Sequence, residues 1–326
     1  MRGYEMVKDL VSVIIPVYNR ENVIEECVNS VFAQIYRNFE IVIVDDGSTD
    51  STYDICKHLA QKDERIKLFA GEHGGVSAAR NMALDKADGE YVFFLDSDDV
   101  IYPLLLETLV SEMKESDAGI AGTRVVNVSE SRWDKVREKI AEAPVAGQTK
   151  YLTNEEALYS MFHGDSPLSC IGGVMMKKEL VGDTKFKTDL FIGEDYYFIY
   201  ENLIKGASCV FLEPKWYYAR NHATNSSWNY TFDGFTTRFY RRELVWKSEE
   251  ALGREEFANV QKRDAFSCFV TCAKRNTPYS MDSKRMRKVM KQYRKEICPA
   301  LSSKAKIMYF ICMHFPVTAS MIFKKK

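Results

Sequence analysis

The chain has 326 residues, 46% hydrophobic and 28% charged, which is ordinary globular material for one large domain with a substantial core plus a smaller appendage. Its eight cysteines form no C-x-x-C pair and meet no histidine at zinc-finger spacing, which excludes a zinc module and reads as reduced, mostly buried thiols. Formal net charge is −1, but residues 1–233 hold 24 Lys/Arg against 38 Asp/Glu and residues 234–326 hold 21 against 8, so a boundary is predicted between an acidic part that carries the candidate chemistry and a basic part suited to a polyanion such as a lipid surface or nucleic acid.

Met1–Leu10 carries charges and no apolar stretch, so no cleaved secretory signal is expected and the reading is cytoplasmic. Val11–Pro16 is a near-continuous apolar run, as expected of a strand buried on both faces, and Val17-Tyr18-Asn19-Arg20 ends it. Ile24, Cys27, Val28, Val31 and Phe32 recur at helical spacing. Phe39–Val44 is a second strand, ending in Asp45-Asp46-Gly47-Ser48. A helix over 51–61 and a strand over 66–69 follow, then Gly74-Gly75-Val76-Ser77 opens a helix through Ala79, Ala83 and Ala87. The alternation predicts an α/β fold with a mainly parallel central sheet and right-handed crossovers. The segment 123–151 is rich in charge and poorly periodic, and reads as an insertion or a ligand-facing loop. Gly172-Gly173 is either a tight turn or a side-chain-free stretch over which a ligand approaches the backbone.

The strand Tyr91–Leu95 delivers Asp96, Asp98 and Asp99 to its C-terminal end, the rim where open α/β sheets bind ligands. Crowded carboxylates repel one another, and a hard divalent cation that also grips phosphate oxygens would relieve the repulsion. An acidic turn capping the helix near Pro103 is the bland alternative, although a cap needs one carboxylate and this loop supplies three. An EF-hand loop fails because Val100 and Ile101 stand where a ligand and a glycine are required. A dinucleotide-binding turn fails because Pro16-Val17-Tyr18-Asn19-Arg20 lacks the glycines that seat a pyrophosphate.

Four segments in order, Val11–Asn19, Ile41–Asp50, Gly75–Asn81 and Gly89–Asp99, resemble a bacterial glycosyltransferase of family 2, with the GT-A nucleotide-sugar fold. The resemblance is close over about residues 1–120 and resumes at Gly193-Glu194-Asp195 and Arg220-Asn221-His222. It implies a nucleotide-sugar-binding half over 1–122, an acceptor half over 123–233 and a helical basic region over 234–326. It further implies that Pro16, Tyr18, Asn19, Asp45, Arg80, Asp96 and Ser97 bind the donor. Within that set Tyr18 packs on the base, Asp45 accepts a base N–H and Arg80 neutralises donor charge. Asp98 and His222 would hold Mn2+ or Mg2+, and Asp195 would be the general base that deprotonates an acceptor hydroxyl. Asp46, Asp99, Glu194 and Arg220 are further site candidates with less defined roles. Helix capping is the structural alternative for Glu194 and Asp195, and a solvated loop is the alternative for His222.

From Lys274 to Lys326 there are 14 Lys/Arg against Asp282 and Glu296. A helix over 283–297 would gather Met286, Val289, Met290, Tyr293 and Ile297 on one face. Residues 307–323 then hold no Lys, Arg, Asp or Glu and are closed by three lysines, which is short for a membrane span but suits a peripheral anchor on the anionic inner face of the membrane. A helix docked on the protein is the alternative. No nucleic-acid-binding signature is present. The expected function is metal-dependent transfer of a single sugar, with inversion, from a nucleotide-sugar donor, UDP-linked by preference, to a lipid-linked or other surface-polysaccharide acceptor. A catalytically silent scaffold that binds partners or membrane through the basic region is the competing reading, and intact Asp96, Asp98 and Asp195 argue against it.

Overall fold

The computed structural model describes residues 6–140, 148–163, 168, 170–221, 231–275 and 281–314. The chain divides into two compact units, Met1–Ala223 and Thr224–Lys326. In the first, β1 (Val7–Val17), β2 (Phe39–Asp45), β3 (Ile66–Ala70) and β4 (Gly89–Phe94) alternate with α1 (Ile24–Phe32), α2 (Thr52–Lys62) and α3 (Val76–Lys86). β1 lies parallel between β2 and β4, and β2 pairs in parallel with β3. Val11–Val17 is buried at every position, so its sequence has no polar face and shows no alternation. Pro16 sits in this central strand without loss of a ladder bond. The Ile14 carbonyl accepts from Leu95 N on the β4 side, and by the two-residue alternation Pro16 turns its nitrogen to the same side, past the last β1–β4 pair, Ile14 with Phe94.

The unit continues through β5 (Val100–Ile101), α4 (Leu105–Ser116), β6 (Ile120–Ser129), α5 (Trp133–Ile140), β7 (Thr149–Leu152), α6 (Asn154–His163), β8 (Val174–Lys177), α7 (Lys178–Val181), α8 (Glu194–Leu203) and β9 (Cys209–Asn221). The sheet runs β3-β2-β1-β4-β8-β6-β9-β5, with β7 on β9. β8 is antiparallel to β4 and to β6, while β6 and β9 are parallel, so the sheet is parallel in its first half and mixed beyond β4. The segment over 123–151, expected as an insertion or a ligand-facing loop, supplies much of β6, which lies inside the sheet between β8 and β9. Its buried end is built from Ala121, Gly122 and Thr123, small residues with little hydrophobic contrast, and Arg124 follows at once, so no period was visible.

The second unit is helical: α9 (Phe232–Ala251), α10 (Glu255–Arg275), α11 (Met281–Gln292), α12 (Arg294–Ala300) and α13 (Ser303–His314). Its core gathers Phe235, Phe239, Trp246, Phe269, Met286, Met290 and Ile297. The helix expected over 283–297 is broken at Tyr293, whose hydroxyl donates to Glu243 Oε2 at 2.8 Å, and the face carrying Met286, Met290 and Ile297 is spent on this core. Of the apolar run over 307–323, Tyr309, Cys312 and Met313 are buried in the same core, while Ile307 and Phe310 face solvent at 62% and 53% exposure. Residues 315–326 lie outside the described residues. Among the described residues no helix is long and apolar enough to cross a membrane. All eight cysteines are free thiols, six of them buried.

Candidate functional site

β1 and β2 end in register, Val17 opposite Asp45, and β4 stops beside them at Phe94, so three loops leave one rim of the sheet. Asp45 is 3% exposed. Its Oδ2 accepts from Ser48 N at 3.0 Å, while Oδ1 is buried and meets no donor among the described residues. A buried carboxylate oxygen without a donor costs free energy, and that cost would be relieved by a ligand N–H. Asp46 is committed differently: its two oxygens accept from Gly74 N and Gly75 N, each at 2.8 Å, tethering the loop that opens α3. Asn19 takes the left-handed conformation at φ 49°, which asparagine tolerates, and its Oδ1 accepts from Thr49 N at 2.8 Å. Its own N–H donates to Ser48 Oγ at 2.9 Å, so Asn19 staples the first loop to the second. Tyr18 is exposed at the rim, with its ring centroid 4.3 Å from that of His73.

Arg80, on α3, is 4% exposed and has both arms of its guanidinium engaged. Nη2 donates to Asp96 Oδ1 at 2.8 Å and Nη1 to Glu194 Oε1 at 3.0 Å, above the Phe186 ring. Burial works against its charge, but Asp96, Glu194 and Asp195 outweigh burial and hold the group above the usual arginine range. Arg80 therefore joins the loop after β4 to the N-terminus of α8. Glu194 and Asp195 occupy the first turn of that helix, where its dipole favours negative charge. Asp195 Oδ1 accepts from Tyr196 N at 2.7 Å, within its own helix turn. Burial pushes the Cys170 thiol up to about 12, and the charges of Asp195, Asp96 and Asp99 add to it.

In the acidic loop, Ser97 and Asp99 are buried, and Asp98 Oδ2 lies 3.4 Å from Arg20 Nε. Asp99 Oδ1 accepts from Arg220 N at 2.8 Å, and burial, then Asp96 and Asp98, push its carboxyl well above the usual range. Arg220 supports this loop from behind. Its Nε donates to the Asp98 carbonyl at 3.3 Å, its arms pair with Glu26 at 2.6 Å and Glu130 at 2.9 Å, and its guanidinium stacks 3.8 Å over the Trp133 ring. Tyr217, which the sequence did not single out, is a second support: Asp96 N donates to its hydroxyl at 3.1 Å, and the same hydroxyl bonds the Asp99 side chain. Gly172 and Gly173 make room for this tyrosine. A Cβ on Gly172 would stand 2.8 Å from Tyr217 Oη, and one on Gly173, at φ 78°, 3.1 Å from its ring, so packing against this tyrosine requires the two glycines. The apparent signals for Tyr217 and Glu26 are absent from local sequence because their partners lie 121 and 194 residues away.

Asp96, Asp98 and Asp99 are oxygen donors of the kind a hard cation takes, and the charges of Asp96 and Asp98 crowd the buried Asp99. Among the described residues, however, no group of three or more His, Cys, Asp or Glu is arranged to hold a metal ion. His222 lies outside the described residues.

Known proteins resemble this chain in sequence or in fold. Glycosyltransferase GlyA of Streptococcus pneumoniae serotype 4 is 33% identical over 220 residues, covering 65% of this chain but 30% of GlyA, so the chain spans about a third of that relative. S. aureus TarS 1-349, solved with UDP-GlcNAc, superposes with a TM-score of 0.63 at 21% identity over 97% of this chain and 91% of that one. The mannosyltransferase PcManGT of Pyrobaculum calidifontis, solved with GDP-Man and Mn2+, superposes with a TM-score of 0.50 at 17% identity over 96% of this chain and 86% of that one. Both structures share the α/β fold. The profile of glycosyl transferase family 2 matches residues 12–184, across the three rim loops and the strands that carry them, and the chain belongs to that family.

Proposed function

We propose that the protein transfers a single sugar, with inversion, from a nucleotide-sugar donor to a lipid-linked or other surface-polysaccharide acceptor. The observation that carries this reading is the unpartnered Asp45 Oδ1, at the same rim as the Asp96–Asp99 loop, which Arg80 joins to Glu194, the chain neighbour of Asp195. A uracil imide N–H suits that oxygen, so a UDP-linked donor is favoured, and the UDP-GlcNAc complex of TarS supports the choice. Tyr18 offers an exposed ring for the base to pack on. Asp96 touches the donor while Arg80 holds it in place.

Asp195 removes the proton from the acceptor hydroxyl as that oxygen attacks the anomeric carbon opposite the leaving nucleoside diphosphate. Asp98 and His222 are the residues that would hold Mn2+ or Mg2+, and the Mn2+ complex of PcManGT supports a metal in this fold. When bound, the ion would supply positive charge for the departing diphosphate. Peripheral attachment to an anionic membrane is supported by the basic second unit, where exposed Ile307 and Phe310 lie near exposed Lys304 and Lys306.

A thermal-shift panel of UDP, GDP, dTDP and CMP, with and without manganese, tests the donor assignment, because a ligand that binds only the folded state raises the melting temperature. UDP should give the largest rise, larger still with manganese. A panel in which no nucleotide shifts the transition would remove the reading.

A further inference from the structure

The second unit holds a cavity of about 320 Å³ between α9 and α10 that the proposed reaction does not use. Arg238 and Arg242 stand one turn apart on α9. Ser267, Cys268 and Thr271 face them from α10, and Asp264 is the one carboxylate on the wall among the described residues. Each arginine is braced by its own helix: Arg238 Nη1 donates to the Gly234 carbonyl at 3.2 Å and Arg242 Nη1 to the Arg238 carbonyl at 3.0 Å. Bracing fixes the guanidinium plane before any ligand arrives, so less entropy is lost on binding. Arg242 Nε is buried and meets no acceptor among the described residues, a donor that a ligand oxygen would satisfy.

The charges of the α9 arginines reach the cavity wall. The Cys268 thiol is drawn down to about 6, first by its hydrogen bond with Cys272 and then, against burial, by Arg242, Arg238 and Arg241. Two planar cations, two hydroxyl donors and one acid in a space this size match a tetrahedral oxyanion, which guanidinium groups grip through paired N–H bonds.

We propose that this α9–α10 cavity is an oxyanion site that takes a phosphoryl group, either free or on a lipid headgroup, through Arg238, Arg242, Ser267 and Thr271. It is separate from the donor rim, and its test does not depend on the transferase reading. Sodium pyrophosphate is titrated into the full chain by calorimetry at constant ionic strength, comparing wild type with R238Q/R242Q. Any pyrophosphate held in the first unit persists in both proteins and cancels. The double variant should bind at least about tenfold more weakly, the scale of one lost charge-assisted contact. A charge-matched control, K288Q/K291Q on exposed positions of α11, should bind as wild type does. Equal isotherms for wild type and R238Q/R242Q, or an equal loss in the control, would overturn the site. If circular dichroism shows the double variant unfolded, Thr271→Val tests the same cavity without a charge change and should weaken binding about threefold, with no change counting against the site. Vesicles of phosphatidylglycerol and phosphatidylcholine separate the sources. Capture by the anionic vesicles alone, lost in R238Q/R242Q, assigns the headgroup, whereas pyrophosphate binding without such capture assigns a free phosphoryl ligand.

Discussion

Asp45 and Asp195 serve opposite ends of the proposed reaction, and each should fail in its own way. In Asp45→Asn the amide oxygen can keep the Ser48 N–H, which leaves the NH2 group where Oδ1 now faces the incoming base. Two donors would then oppose one another, and UDP affinity should fall about tenfold with little change in melting temperature, as calorimetry would read. Asp195→Asn keeps the helix-terminal hydrogen bond but cannot accept a proton, so turnover should drop by roughly 10²–10⁴-fold while UDP affinity survives. A folded variant within about tenfold of wild-type turnover would remove Asp195 as the base. Glu26 acts on the acidic loop through Arg220. Burial would raise its carboxyl, but hydrogen bonds from Arg137 and Trp133 and the charges of Arg137 and Arg220 hold it below the ordinary range. An acid depressed in the folded state contributes stability above its unfolded pKa, about 4, and that contribution is lost as pH falls through the folded value. Glu26→Gln should therefore cost about 1–3 kcal/mol at pH 7, because buried Arg220 loses a charged partner. The gap to wild type should close as pH falls below about 4, and a gap independent of pH would show that packing, not charge, carries the effect.

At the scale of elements, the acidic loop after β4 is held by β9 through Tyr217 and the N–H of Arg220, and α8 is held to it through Arg80. The start of β8 must come close for this to work, which is the reason for Gly172. Gly172→Ala would press a methyl group against Tyr217 Oη at 2.8 Å, in a buried site where the ring has bonded partners and little room to move. Overpacking of this kind costs about 1–3 kcal/mol, so the urea midpoint should fall and UDP affinity should fall with it as the loop shifts. An unchanged midpoint would mean that Tyr217 moves freely and supports nothing. Asp46 and Asn19 are also element connectors, one anchoring the α3 loop and the other the loop after β2.

At the scale of the whole molecule, residues 1–233 and 234–326 differ in sign, with 38 Asp/Glu against 24 Lys/Arg in one and 21 Lys/Arg against 8 Asp/Glu in the other. Such a chain should approach an anionic surface basic end first. Vesicles containing phosphatidylglycerol should sediment the protein at low salt and release it as ionic strength passes about 0.15 M, where the screening length is about 8 Å. Sedimentation equal on neutral vesicles, or indifferent to salt, would end the peripheral-membrane proposal. The apolar face of α11 contributes nothing to that attachment, because Met286 and Met290 are already buried in the core of the second unit.

By itself the sequence determined the parallel βαβ half, the rim at which Tyr18, Asp45 and Asp96–Asp99 emerge, the helical basic region and the family. Those features are written in short apolar runs and contiguous turns, whose physics is local. Tertiary structure alone decided which partners the charged candidates take within the chain. Asp46 gives both oxygens to backbone amides, Arg80 is shared between Asp96 and Glu194, and Arg220 turns away from the rim to Glu26 and Trp133. It also decided that β6 lies inside the sheet and that the apolar faces of α11 and α13 close a core. Each of these outcomes depends on partners brought together by the fold from distant parts of the chain, and a buried polar group takes whichever partner the packing presents, a choice no local pattern encodes.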